Sequence, residues 1–464
     1  MFKLSDVYAA AGQPFPPETP DPDIPAAHFD SRRIQPGMLF VALPGARVDG
    51  NDYLGDALNR GAAATLGSRV DAEHPPWRQV TAPDALAAFQ QLARGLRDRS
   101  RATFVGVTGS NGKTSTKQAL AAALGGHGLT LATDRSENTD VGVPTTLSRL
   151  RPDHRFAVIE MGAQIRGEIE SYCRVAAPDA AVITSISGAH IGLFGSIENI
   201  VQAKSELLTA LPNDAPAVLP ADSRWLPRLR GLAPGPVLTF GRDPAANVRV
   251  DGEVTLDGTT VSLETPSGLG QVHASGIAGP IDLVFGAAAA TVQALGLDLQ
   301  PAFDALHSFQ PAPHRMTLRR TPAGATLLDD TYNANAASML AALDTLGRLP
   351  VEGRRIAVLG DMLELGDESP RDHHRVGQAA ATADILLAIG QDAADLARGA
   401  RESGLPDERL VLLSATLDDT DSLNAARESL ERYLRDTLHP EDAVLLKASN
   451  GLGLGPIADA LSES

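Results

Sequence analysis

A single cysteine, Cys173, stands in 464 residues. One thiol excludes an internal disulfide framework and a multi-cysteine metal site, and it fits a reducing compartment. The plainest reading of Cys173 is a small buried apolar residue. Long apolar runs are missing too, since no stretch approaches the roughly 20 consecutive apolar residues of a membrane span. The opening Met1-Phe2-Lys3-Leu4-Ser5-Asp6 lacks the charged-then-apolar order of a secretory leader. Basic charge is in deficit: Lys+Arg number 40 against Asp+Glu 57, a formal net charge of -17. That balance argues against a broad basic face for a nucleic-acid backbone, so any phosphate site must be local. Apolar content, at 43%, is ample for two or three domains, each with its own core. The expectation is a multidomain cytoplasmic protein without a nucleic-acid partner or a membrane span.

Three α/β units are expected, over residues 1–83, 84–312 and 313–464. The first mixes short apolar runs such as Met38 to Leu43 with Gly and Pro punctuation. From Asp84, Leu86, Phe89, Leu92 and Leu96 recur at helical spacing and predict a connecting helix ending near Ser100. Strand-like runs follow at Thr103–Val107, Phe156–Ile159 and Ala180–Ile183, alternating with helices such as Gln118–Leu124 and Ile197–Leu211. That alternation predicts a mostly parallel sheet covered on both faces. Between about Val248 and His273 a polar-apolar alternation, with turn signals at Asp257-Gly258 and Ser267-Gly268, predicts a small antiparallel insertion. After the Pro-rich Gln310–Pro313, buried strands are expected at Ile356–Leu359, Ile385–Ile389 and Ala443–Leu446.

The most informative local feature is Thr108-Gly109-Ser110-Asn111-Gly112-Lys113-Thr114, with Ser115 after it, placed between a strand and a helix. Glycines let backbone N–H groups turn toward phosphate oxygens, the helix N-terminus favours an anion, the lysine supplies a point charge, and the threonine hydroxyl can ligate Mg²⁺. The general P-loop pattern asks for glycine five residues before Gly112, where Val107 stands. A P-loop alone does not separate kinases, motors, GTPases and ligases. Glu160, ending Val158-Ile159-Glu160, would face the crevice at a strand's C-terminal end, where a carboxylate suits Mg²⁺. His190 follows the next strand and could reach the same crevice, although a loop histidine is more often a polar surface residue. Lys204 on the following helix reads, by itself, as a solvated lysine. In the last unit Arg315 suits bidentate phosphate contact, and the acids of Asp329-Asp330-Thr331-Tyr332-Asn333-Ala334-Asn335 suit a ribose hydroxyl or a cation, or else a turn.

Together these segments resemble the Mur ligase family over nearly the whole chain. The stretch from Asp30 to Leu54 is similar to the family's UDP-binding segment, and the phosphate loop to the family's own form, whose first glycine is Gly109. The runs EMGAQIRGEIE, DDTYNAN and VLGDMLELGDES resemble the member that adds D-alanyl-D-alanine to UDP-N-acetylmuramoyl-tripeptide. The resemblance implies an α/β enzyme of three domains. A central P-loop parallel-sheet ATPase domain would be flanked by a small N-terminal UDP-binding domain and a C-terminal Rossmann-like domain. It implies ATP and Mg²⁺ as cofactors, an acyl-phosphate intermediate, and a monomer. By resemblance Lys113, Glu160, His190, Lys204 and Arg315 are catalytic. Thr114, Glu160, His190 and Lys204 would surround the metal, with Lys204 carbamylated. Thr108 to Ser115, Asp282, Arg315, Asp330 and Asn335 would bind ATP, and Ser31, Arg32 and Asn138 the UDP substrate.

Departures from the family pattern cluster around the nucleotide. Ile281-Asp282 replaces His-Asn, and Phe285 replaces a second Asn. Thr139 and Ser185 stand where asparagines are common, Gly192 or Leu193 where Glu is frequent, and Ala336 in place of proline. Lys447-Ala448-Ser449-Asn450 stands where Lys-Gly-Ser-Arg is expected. Two readings compete with the ligase: a related enzyme with another acceptor amine, and a non-catalytic nucleotide- or UDP-peptide-binding paralogue.

Overall fold

The computed structural model describes residues 1–45, 48–135 and 137–462; Ala46 and Arg47 of the UDP-like segment lie outside them. The central sheet is built on Thr103–Thr108, flanked in parallel by Ala180–Ile183 on one side and Phe156–Glu160 on the other. These strands are almost entirely buried, as parallel strands covered by helices on both faces must be, which is why they read as unbroken apolar runs. The chain leaves Thr103–Thr108 toward both sides of it, so a crevice opens at the C-terminal ends of these strands, where such sheets place their ligands.

The expected antiparallel insertion is present as Val248–Val254, Gly258–Thr265 and Gly268–Ser275. It is not a separate sheet. Phe240 pairs in parallel with Val248, so the three strands extend the central sheet to nine. The helix Ile281–Ala294 lies against this junction, and Ala287 to Ala290 are wholly buried in its contact face. Small side chains let the helix approach closely: a β-carbon on Gly286 would stand 2.6 Å from Val250.

The N-terminal sheet has four parallel strands between Ala27 and Thr81. A core of its own was expected, but part of its apolar side joins one continuous cluster with the central unit through the helix Ala85–Arg99, whose Phe89, Leu92 and Leu96 face inward. Four short strands bury too little surface alone, and the shared helix supplies the rest. Polar contacts reinforce the seam: Arg33 reaches Asp134 at 3.0 Å and the buried Glu137 at 3.2 Å, and Arg149 approaches Glu137 at 3.1 Å.

The last unit is a six-stranded sheet with five strands in parallel, among them Thr326–Asp330, Ala443–Lys447 and Arg355–Gly360, and Thr317–Arg320 antiparallel at one edge. Among the described residues no helix is long and apolar enough to cross a membrane.

Phe285, the residue in place of a family asparagine, is fully buried and meets Phe309 edge-on, with centroids 5.6 Å apart. Phe285→Ala therefore lowers the stability of the central unit by roughly 3–5 kcal/mol, read from urea unfolding. An unchanged midpoint would contradict its place in the core.

Candidate active site

A cleft of about 840 Å³ lies between the central and C-terminal units, within the usual range for a ligand pocket. The phosphate loop forms one wall. Gly112, at φ 78, precedes the helix Lys113–Gly125, and no side chain caps that helix, so its first amides are not taken by a cap and face an anion site. Asn111 N–H donates to Ser185 Oγ at 2.9 Å, and Ser110 Oγ donates to the Ser187 carbonyl at 3.0 Å, tying the loop to the segment after Ala180–Ile183. Ser185, a departure from the family, thus holds the loop itself. Lys113 Nζ donates to the carbonyls of Gly109 and Ser110 at 2.8 and 3.3 Å. Burial pushes its ammonium below the ordinary lysine value, with Glu160 opposing the shift.

Glu160 ends its strand in the floor of the cleft and is almost completely buried. Its Oε1 accepts from Asn138 Nδ2 at 2.8 Å and Thr114 Oγ1 at 3.2 Å. Its Oε2 has no hydrogen-bond partner; Lys117 Nζ stands 3.6 Å away. Burial pulls Lys117 below the ordinary lysine value, and Glu160 counters it. A buried carboxylate oxygen left without a donor, beside a threonine hydroxyl, suits a hard divalent cation, and His190 lines the same cleft. The residues present fit Mg²⁺.

Lys204 is buried with its Nζ 3.4 Å from the Ala163 carbonyl and the Phe194 ring 5.6 Å away. Burial, aided by the charge of Lys113, lowers its pKa to about 7. It stands behind Ala163, which lines the cleft, rather than lining the cleft itself.

From the C-terminal unit, Arg315 Nη2 donates to Thr114 Oγ1 at 3.2 Å, and its guanidinium lies 3.8 Å from the Tyr332 ring centroid. The Arg315 Nε is a buried donor without a partner. The flanking His314 and Met316 both adopt positive φ, 61° and 52°, a conformation disfavoured by a β-carbon and concentrated at functional segments. Asp330 and Lys447 are direct partners on adjacent strands, form an ion pair, and both line the cleft. Asn335 caps the helix Ala336–Arg348 and shares paired amide hydrogen bonds with Asn111 across the two units. With that cap in place the helix starts at Ala336 without the family's proline.

Several expected contacts fall elsewhere. Asp282 was expected at the nucleotide, but it turns away from the cleft: its buried carboxylate takes two bonds from Arg242, at 2.7 and 3.0 Å. Its neighbours Ile281 and Val284 face the cleft and, with Ile277, Phe309 and Met316, make part of the lining apolar. Thr108 is wholly buried with its hydroxyl on the Met161 carbonyl at 2.8 Å, so it supports the loop from beneath. Gly109 allows the chain to pass Thr184, where a β-carbon would fall 2.0 Å from the hydroxyl. Ser31 is buried in the N-terminal unit, and Arg32 is exposed and forked onto Asp30 at 2.9 and 2.7 Å; neither lines the cleft. Ser115 and Asn138 do line it. Lys117 was not singled out from sequence, and Lys447 and Tyr332 stood only within matched segments without a role of their own. Lys117 stands one helical turn after Lys113, a spacing that points it to the same region.

Two α/β units closing over a phosphate loop define a nucleotide-using enzyme. Mur ligase family models match the chain in three parts: the catalytic-domain model over residues 26–122, the middle domain over 107–290 and the glutamate ligase domain over 314–450. The chain is 38% identical to the UDP-N-acetylmuramoyl-tripeptide--D-alanyl-D-alanine ligase of Synechocystis over 93% of this chain and 90% of the relative. It is 37% identical to the enzyme of that name from Escherichia coli, over 80% and 82%. Its structure is similar to MurF from Acinetobacter baumannii, with TM-score 0.86 and 29% identity over 100% of this chain and 99% of the other. It is also similar to the MurF ligase of Thermotoga maritima in complex with ADP, with TM-score 0.79 and 27% identity over 94% and 97%. The chain belongs to the Mur ligase family.

Arg242→Ala leaves the buried Asp282 carboxylate without its counter-charge. It should cost roughly 3–5 kcal/mol of stability, as breaking a buried pair does, while ATP affinity measured by calorimetry holds. Lost ATP affinity at unchanged stability would put Asp282 in the nucleotide site.

Proposed function

We propose that this chain is an ATP-dependent ligase that joins D-alanyl-D-alanine to UDP-N-acetylmuramoyl-tripeptide in the cytoplasm, through three units at 1–83, 84–312 and 313–464. The observation that carries the reading is the convergence of the phosphate loop, Glu160 and the partnerless Arg315 Nε on one cleft. The relatives' shared activity and the match along most of the chain support the two substrates.

In this reading the loop amides and Lys113 hold the β- and γ-phosphates of ATP, and the apolar lining around Ile281 and Val284 receives the base. Asp330 accepts from the ribose. Thr114, Glu160, His190 and a carbamate on Lys204 would hold Mg²⁺, which supplies charge neutralisation on the phosphates. The C-terminal carboxylate of the UDP-peptide attacks the γ-phosphorus, and ADP leaves. Lys113 and Arg315 are placed to stabilise the charge on the phosphoryl group in flight. The dipeptide's amine then attacks the acyl phosphate, loses its proton, and expels phosphate as the amide forms. Closing the two units over the cleft keeps water from the acyl phosphate. Ser31 and Arg32 hold the uridine end, and Asn138 bridges that end and Glu160.

With purified protein, Mg²⁺, ATP and UDP-muramoyl-tripeptide, phosphate release should depend on added D-alanyl-D-alanine, with one dipeptide added per phosphate by mass. Release with a different amine alone would favour the related ligase. Measurable UDP-peptide binding without release would favour the non-catalytic paralogue.

Carbamylation of Lys204 needs a neutral amine, which the folded chain holds on the alkaline side of about pH 7. Protein equilibrated with carbon-13 bicarbonate at pH 8 should show a carbamate resonance that Lys204→Ala removes. A spectrum without it, or unchanged in the variant, would contradict the modification.

A further inference from the structure

His190 enters the short helix Ile191–Phe194 at φ 59, and Glu364 of the C-terminal unit stands at φ 64, so two non-glycine residues in the left-handed region meet between the central and C-terminal units. The His190 Nδ1 is hydrogen-bonded to the Glu364 carboxylate. The backbones lock beside them: Gly192 N–H donates to the Glu364 carbonyl at 3.1 Å. A β-carbon at 192 would fall 2.8 Å from that carbonyl oxygen, 2.8 Å from the Gly366 nitrogen and 3.0 Å from the Leu365 carbonyl carbon. Gly366, itself at φ 56, has the Gly192 Cα 3.3 Å from where its own β-carbon would be. The contact therefore requires glycine at 192.

A neutral imidazole has one N–H and one lone pair, and a carboxylate fixed on Nδ1 assigns the proton there. The lone pair is left on Nε2 of a residue that lines the cleft. This is the arrangement in which a carboxylate orients a metal-ligating histidine and raises its basicity. We propose that Glu364 is the positioning residue of His190, so that docking of the Glu364–Gly366 loop on Gly192 sets the imidazole for the divalent cation. Cation affinity and closure of the C-terminal unit are then one equilibrium, since the oriented ligand exists only in the docked state. The inference rests on the reading of His190 as a metal-facing residue.

The two other clusters of acids and histidine among the described residues are already satisfied by protein groups. Both ring nitrogens of His373 are engaged by backbone, the Met362 N–H and the Ser369 carbonyl, each at 2.8 Å. The acids beside His314 are already paired with Arg319.

The test uses the full chain with the methylene analogue of ATP and Mn²⁺ as probe, read by electron paramagnetic resonance both as affinity and as nitrogen coupling to the metal. Wild type should show imidazole coupling, and His190→Ala should lose it. Glu364→Ala should weaken Mn²⁺ by about ten- to hundredfold, Glu364→Gln less, because its amide oxygen still accepts from Nδ1–H. Gly192→Ala, which blocks docking without touching either side chain, should weaken it as Glu364→Ala does. The double variant His190→Ala/Glu364→Ala should bind no more weakly than His190→Ala. Wild-type affinity in Glu364→Ala, with His190→Ala weakened, would overturn the proposal while leaving His190 at the metal. Additive losses in the double variant would overturn it too, by making Glu364 act independently of His190. An unaffected His190→Ala would remove the metal-facing reading itself and the proposal with it.

Discussion

The cleft is organised around one buried anion. A carboxylate in the position of Glu160, at the end of a covered strand, must be compensated within the protein. Thr114 and Asn138 bind one of its oxygens, and Lys117 stands opposite the other without a hydrogen bond. The compensating groups come from two segments of the central unit. Thr114 and Lys117 lie on the helix that begins the phosphate site, and Asn138 sits in the loop whose preceding residue, Glu137, meets Arg33 of the N-terminal unit. The incomplete solvation of Glu160 leaves a place for a cation.

The C-terminal unit completes this arrangement from the other side. Its Asp330–Lys447 pair sits at the ends of neighbouring parallel strands, and Arg315 crosses to Thr114 from a segment braced by left-handed residues on either side. Asn335 and Asn111 bridge the same gap. The ends of two parallel sheets, each the natural ligand edge of its own fold, thus face one shared volume. A reaction that activates a carboxylate and must keep water away is well served by such a division, since neither half holds the full set of charged groups.

Much of the framework was legible in the sequence, because buried parallel strands are unbroken apolar runs: Ala180–Ile183 and Ile385–Gly390 nearly delimit themselves. The phosphate loop was legible from composition and place, even though Val107 breaks the general pattern. What escaped depended on partners distant in sequence. Asp282 looked like a nucleotide contact until Arg242, 40 residues earlier, was seen to claim it. Glu364 lies 174 residues from His190, and no spacing rule joins them. The shared core of the first two units escaped for the same reason, because periodicity shows that a helix such as Ala85–Arg99 has an inner face but not whose core it enters. Lys117 is different: its position one turn after Lys113 was a usable signal.

The central claim is that the cleft phosphorylates a carboxylate before an amine reaches it. The most direct measurement supplies UDP-muramoyl-tripeptide with oxygen-18 in its terminal carboxylate, together with ATP, Mg²⁺ and the dipeptide, and follows the label by mass in the phosphate released. The account predicts one labelled oxygen in each inorganic phosphate, carried over when the acyl phosphate is cleaved on its carbon side. Unlabelled phosphate accompanying amide formation would contradict it, because the peptide carboxylate would then never have been joined to phosphorus.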